Sequence, residues 1–217
     1  AGGSGADNKT IAIARKIKDN YGVEPMVHLT CLHYSREEIK EILKQFEDAG
    51  IENILALRGD VNPNVPQKHD FKYANELVEF IKSQGDFHIS GACYPETHLE
   101  APDAITDIHN LKKKVDAGVS HLVSQLFFDN EFFYGFREKT RIAGIDVPVE
   151  AGIMPVTNRS QIERMVNTCG ASLPKKLAYA LNQIVDLIAN DVDGVHIYTM
   201  NNTKVAGRIC DGIRSLI

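Results

Sequence analysis

Apolar runs of four to six residues alternate with amphipathic stretches, and glycines follow the amphipathic stretches. These two observations predict an α/β fold with a parallel sheet. Ile54, Leu55, Ala56 and Leu57 are the pattern in miniature. The run is too short for a helix and suits a strand buried on both faces, and Arg58-Gly59-Asp60 stands just past its end. In parallel α/β folds ligands bind at the carboxyl ends of the strands, so that exit is the first place to look for a site.

The elements follow in order. Ala1 to Gly5 reads as a loop, and Asp7 is placed to cap a helix over Asn8 to Asn20. Met26 to Cys31 is a strand. Ser35 with Glu38 forms a capping box, and Ile39, Ile42, Leu43 and Phe46 give the helix behind it one apolar face. Residues 61 to 70 form a loop long enough to cover a site. A helix is predicted over Phe71 to Gln84, a strand over Phe87 to Ala92 and a helix over Pro102 to Ala117. Next come a strand over His121 to Phe127, a helix over Glu131 to Ala143 and a strand over Val147 to Ile153. Helices are predicted over Ser160 to Thr168, from Pro174, and over Ile184 to Ala189. Gly194 to Thr199 is a strand and Thr203 to Leu216 the last helix. Gly22, Gly50, Gly85, Gly118, Gly144 and Gly170 stand where helices end, a position that suits the left-handed backbone.

Six strands in this order predict a (β/α)₈ TIM barrel that begins after its second strand, since a closed barrel has eight and usually about 250 residues. The helical pattern from Pro174 to Leu181 runs into that of Asn182 to Ala189 with no turn residue between. The expectation is one catalytic barrel domain over residues 1–217, incomplete at its start and near 181–182. An open doubly wound sheet is the alternative.

Composition narrows the class. The 217 residues are 43% hydrophobic and 24% charged, with a net charge of −5. The acidic balance speaks against a nucleic-acid surface. No run approaches the roughly 18 apolar residues of a membrane span. Cys31, Cys93, Cys169 and Cys210 are scattered without a CxxC pair, which fits a reduced, cytoplasmic protein. The strand exits offer amides, hydroxyls, aromatics and two histidines with few fixed charges. That mix suits a large planar heterocycle better than a phosphosugar. Asp107, Asn110 and Lys114 share one helix face at i, i+3, i+7 spacing, beside Lys113. They could hold a ribityl chain and a pyrophosphate. Phe127, Phe128, Phe132 and Phe133 read as packing, and His33, His69, His88, His109 and His121 as surface or structural positions.

HLTC at 28–31, ALRGD at 56–60, YPETH at 94–98, KKKVDAG at 112–118, QLFFDNE at 125–131, GIMPVTN at 152–158 and HIYTMNN at 196–202 together resemble the 5,10-methylenetetrahydrofolate reductase family, from the first residues to the last helix. The resemblance implies a flavoprotein barrel of one-carbon metabolism. It passes hydride from NADH or NADPH to FAD and then to methylenetetrahydrofolate, in a ping-pong scheme. Carried over by matching position, His28, Thr30, Leu57, Arg58, Gly59, Asp60, Tyr94 and His98 contact the flavin. Asp107, Asn110, Lys113 and Lys114 meet its ribityl and diphosphate portion. Gln125 hydrogen-bonds the pterin edge, and Tyr198 lies on the folate side. Asp60 is the catalytic carboxylate: it lowers the flavin's reduction potential and stabilises the cationic iminium form of the folate. No metal is implied. Partners implied are the folate and NAD(P)H, with a homo-oligomer or a second electron-transfer subunit compatible with the family.

Two departures accompany the resemblance. The family's FEF-type motif, whose glutamate is the general acid, is not in these residues, so this exact polypeptide, if complete, is expected to be a poor folate reductase. Asn202 stands where many relatives carry arginine. Two other readings remain: a subunit that keeps the fold without catalysis, and a metal-dependent barrel lyase or hydrolase using Cys31, His33, Cys93 and His98.

Overall fold

The computed structural model describes residues 8–156, 169–172 and 180–214. The predicted cap at Asp7, the predicted helices over 160–168 and from Pro174, and the end of the last one past 214 lie outside them. The chain divides into two compact units, residues 1–92 with 113–120, and residues 93–112 with 121–217.

In the first unit the order is α1 (Asn8–Tyr21), β1 (Met26–Thr30), α2 (Arg36–Asp48), β2 (Asn53–Leu57), α3 (Ala74–Gln84) and β3 (His88–Cys93), whose last residue opens the second unit. The strands are parallel and pair in chain order, His28 opposite Leu55 and Leu55 opposite Ser90. The capping box forms as predicted: the Glu38 amide donates to Ser35 Oγ and the Ser35 amide to Glu38 Oε2. Ile39, Ile42, Leu43 and Phe46 are all buried beneath it. Removing a side chain of that size from water contributes about 1.5–3 kcal/mol.

The third helix starts at Ala74 rather than Phe71. Phe71 is instead buried in the preceding loop, edge-on to Phe80 with centroids 5.5 Å apart, and the Arg36 guanidinium lies over both rings. Tertiary burial of Phe71 thus overrides local helix preference. Gly85 also differs from expectation. Gly22, Gly50, Gly118, Gly144 and Gly170 have positive φ as predicted, whereas Gly85 is extended at φ −175°. Space explains its glycine: a Cβ there would sit 2.8 Å from Glu47 Oε1 and 3.0 Å from the Phe87 ring.

The second unit holds β4 (His121–Ser124), α5 (Asn130–Ile142), β5 (Val149–Ile153), α6 (Ala180–Ala189), β6 (Gly194–Ile197) and α7 (Thr203–Ile213). The helix α4 (Ala104–Asp116) has most of its length here. These strands too are parallel, Leu122 opposite Val149 and Gly152 opposite His196. Val149, Ala151, Ile153, Ile184 and Leu187 are buried, and Phe127 stacks on Phe133 at 5.1 Å. Phe132, read as packing, is 40% exposed, unlike its buried neighbours Phe127, Phe128 and Phe133.

β4 ends at Ser124, three residues before its predicted end. Ser124 Oγ donates to the Gln125 carbonyl and accepts from the Gly152 amide, while Gln125 Oε1 accepts from the Leu126 amide. Toward β5 the Ser124 hydroxyl, rather than a backbone carbonyl, receives the Gly152 amide, and the regular ladder ends at this residue.

Candidate functional site

The first unit's rim is the pair of exits after β1 and β2. The Cys31 amide donates to the Leu57 and Arg58 carbonyls, and the Leu32 amide to the Arg58 carbonyl at 3.0 Å. The two exits are therefore stitched together by backbone. Gly59 follows with φ +87°, a left-handed conformation that glycine adopts without strain. It also lacks room for a side chain, since a Cβ would lie 3.0 Å from Thr30 Cβ. Arg58 and Leu57 are half-buried, and Asp60 is exposed at the end of this hinge. Its carbonyl lies 3.1 Å from His33 Nε2. Burial pushes the Cys31 thiol up to about 12, so it stays protonated, and its Sγ donates to the Arg58 carbonyl. A thiol in that state is a packing group rather than a nucleophile or metal ligand.

His28 faces solvent on β1 and Thr30 is half-buried. Along α4, Lys114 Nζ donates to the Ala92 carbonyl at 2.7 Å, and its stem lies against Gly91. Lys113 and Asn110 are exposed. Asp107 is already committed to protein: its Oδ2 accepts from the His98 amide at 2.9 Å.

The second unit's rim is built differently. Tyr94 and His98 meet edge to face with centroids 4.4 Å apart. His98 Nδ1 accepts from the Glu100 amide, which leaves Nε2 as the proton-bearing nitrogen of the neutral ring. Between them Thr97 has φ 80°, a conformation that a β-branched residue adopts only when its surroundings enforce it. Glu96 Oε2 accepts from the Ser172 amide at 2.8 Å, and Gly170 packs on Leu99. The YPETH turn therefore clamps residues 169–172, whose Ala171 is buried with Leu126, Phe128 and Met154.

Gln125 and Tyr198 come together on one residue, Ser124. The Tyr198 hydroxyl donates to the Ser124 carbonyl at 2.8 Å. Burial raises the phenol well above its ordinary range, so it is a fixed, neutral donor. Gln125 spends its side-chain oxygen on Leu126, and its amide nitrogen has no partner among the described residues. Asn202 caps α7, its Oδ1 accepting from the Val205 amide. The turn before it carries Met200 and Asn201 at positive φ.

Three features escaped the sequence reading. Glu96 was legible as a charge inside a motif, but Ser172 was not legible as its partner. His33 gave no local signal. The third is a chain of titratable groups across β4, β5 and β6. His121 Nε2 lies 3.2 Å from Glu150 Oε1, and His196 Nδ1 lies 3.7 Å from Glu150 Oε2. The two histidines hold the Glu150 carboxyl down to about 2, and Glu150 raises the His121 imidazole. Among the described residues no group of three or more His, Cys, Asp or Glu is placed to hold a metal. Nor is any described helix long and apolar enough to cross a membrane.

A sequence profile of the family described as Methylenetetrahydrofolate reductase matches residues 1–214. The chain is 36% identical to the 5,10-methylenetetrahydrofolate reductase of Pectobacterium carotovorum subsp. carotovorum, covering 95% of this chain and 75% of that protein. It is 35% identical to the protein of that name from Escherichia coli (strain K12), covering 95% and 76%. It is 36% identical to methylenetetrahydrofolate reductase (NADH) 1 of Arabidopsis thaliana, over 95% of this chain and 40% of that one. Among solved structures, a Clostridium thermocellum protein that binds two copies of 5-methyl-5,6,7,8-tetrahydrofolic acid aligns with TM-score 0.59 at 11% identity, covering 94% of this chain and 78% of that one. A 2,3-dimethylmalate lyase aligns with TM-score 0.58 at 10% identity, covering 96% and 65%. At such low identity these likenesses speak for the fold, which is of the TIM-barrel type.

Proposed function

The chain belongs to the methylenetetrahydrofolate reductase family, and we propose that it reduces 5,10-methylenetetrahydrofolate to 5-methyltetrahydrofolate, with NAD(P)H as electron source and FAD as the resident carrier in a ping-pong scheme. The observation that carries this reading is the family match over residues 1–214, a span that takes in every strand exit described above.

The donor set fits a flavin. Tyr94 and His98 present an aromatic edge, and His98 Nε2 can donate. Lys113 is an exposed cation for a diphosphate, and Asn110 an exposed amide for a ribityl hydroxyl. Asp107 and Lys114 contribute by holding the His98 amide and the Ala92 carbonyl. His28, Thr30, Leu57, Arg58 and Gly59 supply the remaining flavin contacts in this proposal. A bound FAD would supply two-electron hydride transfer, and the protein supplies orientation and electrostatics.

Asp60 places a fixed negative charge at the end of a glycine hinge. That charge disfavours electron uptake by a neighbouring ring and stabilises a cation on the folate. Gln125 offers its unpartnered amide nitrogen to the pterin edge, and Tyr198 walls the folate side as a rigid neutral ring. The proposed setting is a reduced cytoplasmic compartment, with assembly as a homo-oligomer or with a second electron-transfer subunit.

Purified protein should be yellow, bleach anaerobically with NADH or NADPH, and regain colour on adding methylenetetrahydrofolate. Colourless protein without turnover would overturn the reading. Colour without folate-dependent reoxidation would favour the non-catalytic subunit.

A further inference from the structure

We propose that His33 is a positioning residue for Asp60, tying the loop after β2 to the exit of β1. This rests on the assignment of Asp60 to the site. The His33 ring lies between two backbone carbonyls: Nε2 is 3.1 Å from the Asp60 oxygen and Nδ1 is 3.3 Å from the Pro66 oxygen. Both partners are acceptors only. A neutral imidazole carries one N–H and can satisfy one of them, whereas the imidazolium carries two and satisfies both.

The loop needs that tie. Gly59 at φ +87° is a hinge, and among the described residues every other hydrogen bond within residues 60–66 is internal: the Val65 amide to the Asn62 carbonyl and the Asn64 amide to Asn62 Oδ1. Beyond the loop's tip the chain is anchored again. The Lys68 amide donates to the Leu32 carbonyl, Lys68 Nζ pairs with Glu38, and Asp70 Oδ2 accepts from the Arg36 amide. His33 therefore spans the one stretch of loop held by no other side chain from outside it among the described residues. The charged and titratable groups on the surrounding elements are Asp60, Arg58, Cys31 and Tyr34 at the two exits, Lys68, His69 and Asp70 in the loop, and Arg36, Glu37 and Glu38 in the first turn of α2. Through its two nitrogens the His33 ring holds the loop at both ends of residues 60–66. Without the ring that tether is released and the Asp60 carboxylate is less firmly placed.

The test is amide hydrogen exchange of the 60–67 segment in the purified protein. Wild type should be about three- to ten-fold better protected than His33→Ala, the range expected for one hydrogen bond. His33→Asn, which can reach one carbonyl, should restore part of that protection and guards against misfolding of the alanine variant. Equal protection in wild type and His33→Ala would overturn the proposal. In turnover, kcat of the folate-reducing half-reaction should fall in His33→Ala and recover in part in His33→Asn, with the folate KM less affected; a kcat unchanged in His33→Ala also counts against it. If no flavin or folate chemistry is found at all, the proposed function fails while the exchange experiment still decides the tether.

Discussion

The rims of the two units put polar groups at strand exits by opposite means. After β2, Arg58-Gly59-Asp60 is backbone-stitched at its root and held at its tip through the Asp60 carbonyl and His33, with the Asp60 side chain exposed. After β4 and β6, Gln125 and Tyr198 are fixed through Ser124 and backed by Leu126, Phe128 and Met154. The difference teaches that a catalytic charge and a binding wall need different supports. A charge that acts by field keeps its side chain solvated while its backbone is held. A wall that must keep its shape is built of satisfied, buried groups.

Four measurements would break or sharpen this contrast. Gly152→Ala should have the largest effect. Its Cβ would collide with the Ser124 carbonyl oxygen and approach Tyr198 Cε2 to 2.8 Å. A loss of about 3 kcal/mol or more is expected in denaturant unfolding, and a silent change would mean that the second rim is not tightly built. Asp60→Asn should lower the folate-reducing half-reaction about 10²–10³-fold. Its melting temperature should barely move, since the side chain is exposed; a large loss of stability with normal turnover would reverse the roles given to the two rims. Tyr198→Phe should cost about 1–2 kcal/mol, because it strands the Ser124 carbonyl in a largely buried place. An unchanged unfolding midpoint would show that the hydroxyl is dispensable to the wall.

The smallest effect concerns pH. The Glu150 carboxyl falls from 4.5 to about 2 in the fold, so it stabilises the protein above pH 4.5 and that contribution is lost between pH 4.5 and about 2. His121, raised above its ordinary 6.5, contributes below that value and loses its contribution as pH rises through the folded one. Both are therefore in force between about pH 4.5 and 6.5. Glu150→Gln should flatten the acid limb of the stability curve by about 1 kcal/mol; an unchanged acid limb would show that the two histidines do not hold the carboxylate.

The alternation of elements, the capping box at Ser35 and the apolar face of α2 were legible because each depends on neighbours a few residues apart. The family could be read from the motifs at the exits. The ends of elements were less legible where a distant partner intervened, as Phe80 does for Phe71 and Gly152 for Ser124. Asn202 could be read as a departure from relatives, yet its use as the cap of α7 appears only once the chain turns there.

By itself, the sequence determined which segments are strands, which are helices and which residues stand at the exits, since hydrophobic period and glycine placement act locally. Only the tertiary structure decided which of those polar groups are spent and which remain available. Lys114 is taken by Ala92, Tyr198 by Ser124 and Glu96 by Ser172, while His33 lies between the carbonyls of Asp60 and Pro66. The physical reason is that a hydrogen bond is set by distance in space, and these partners lie 22 to 76 residues apart along the chain.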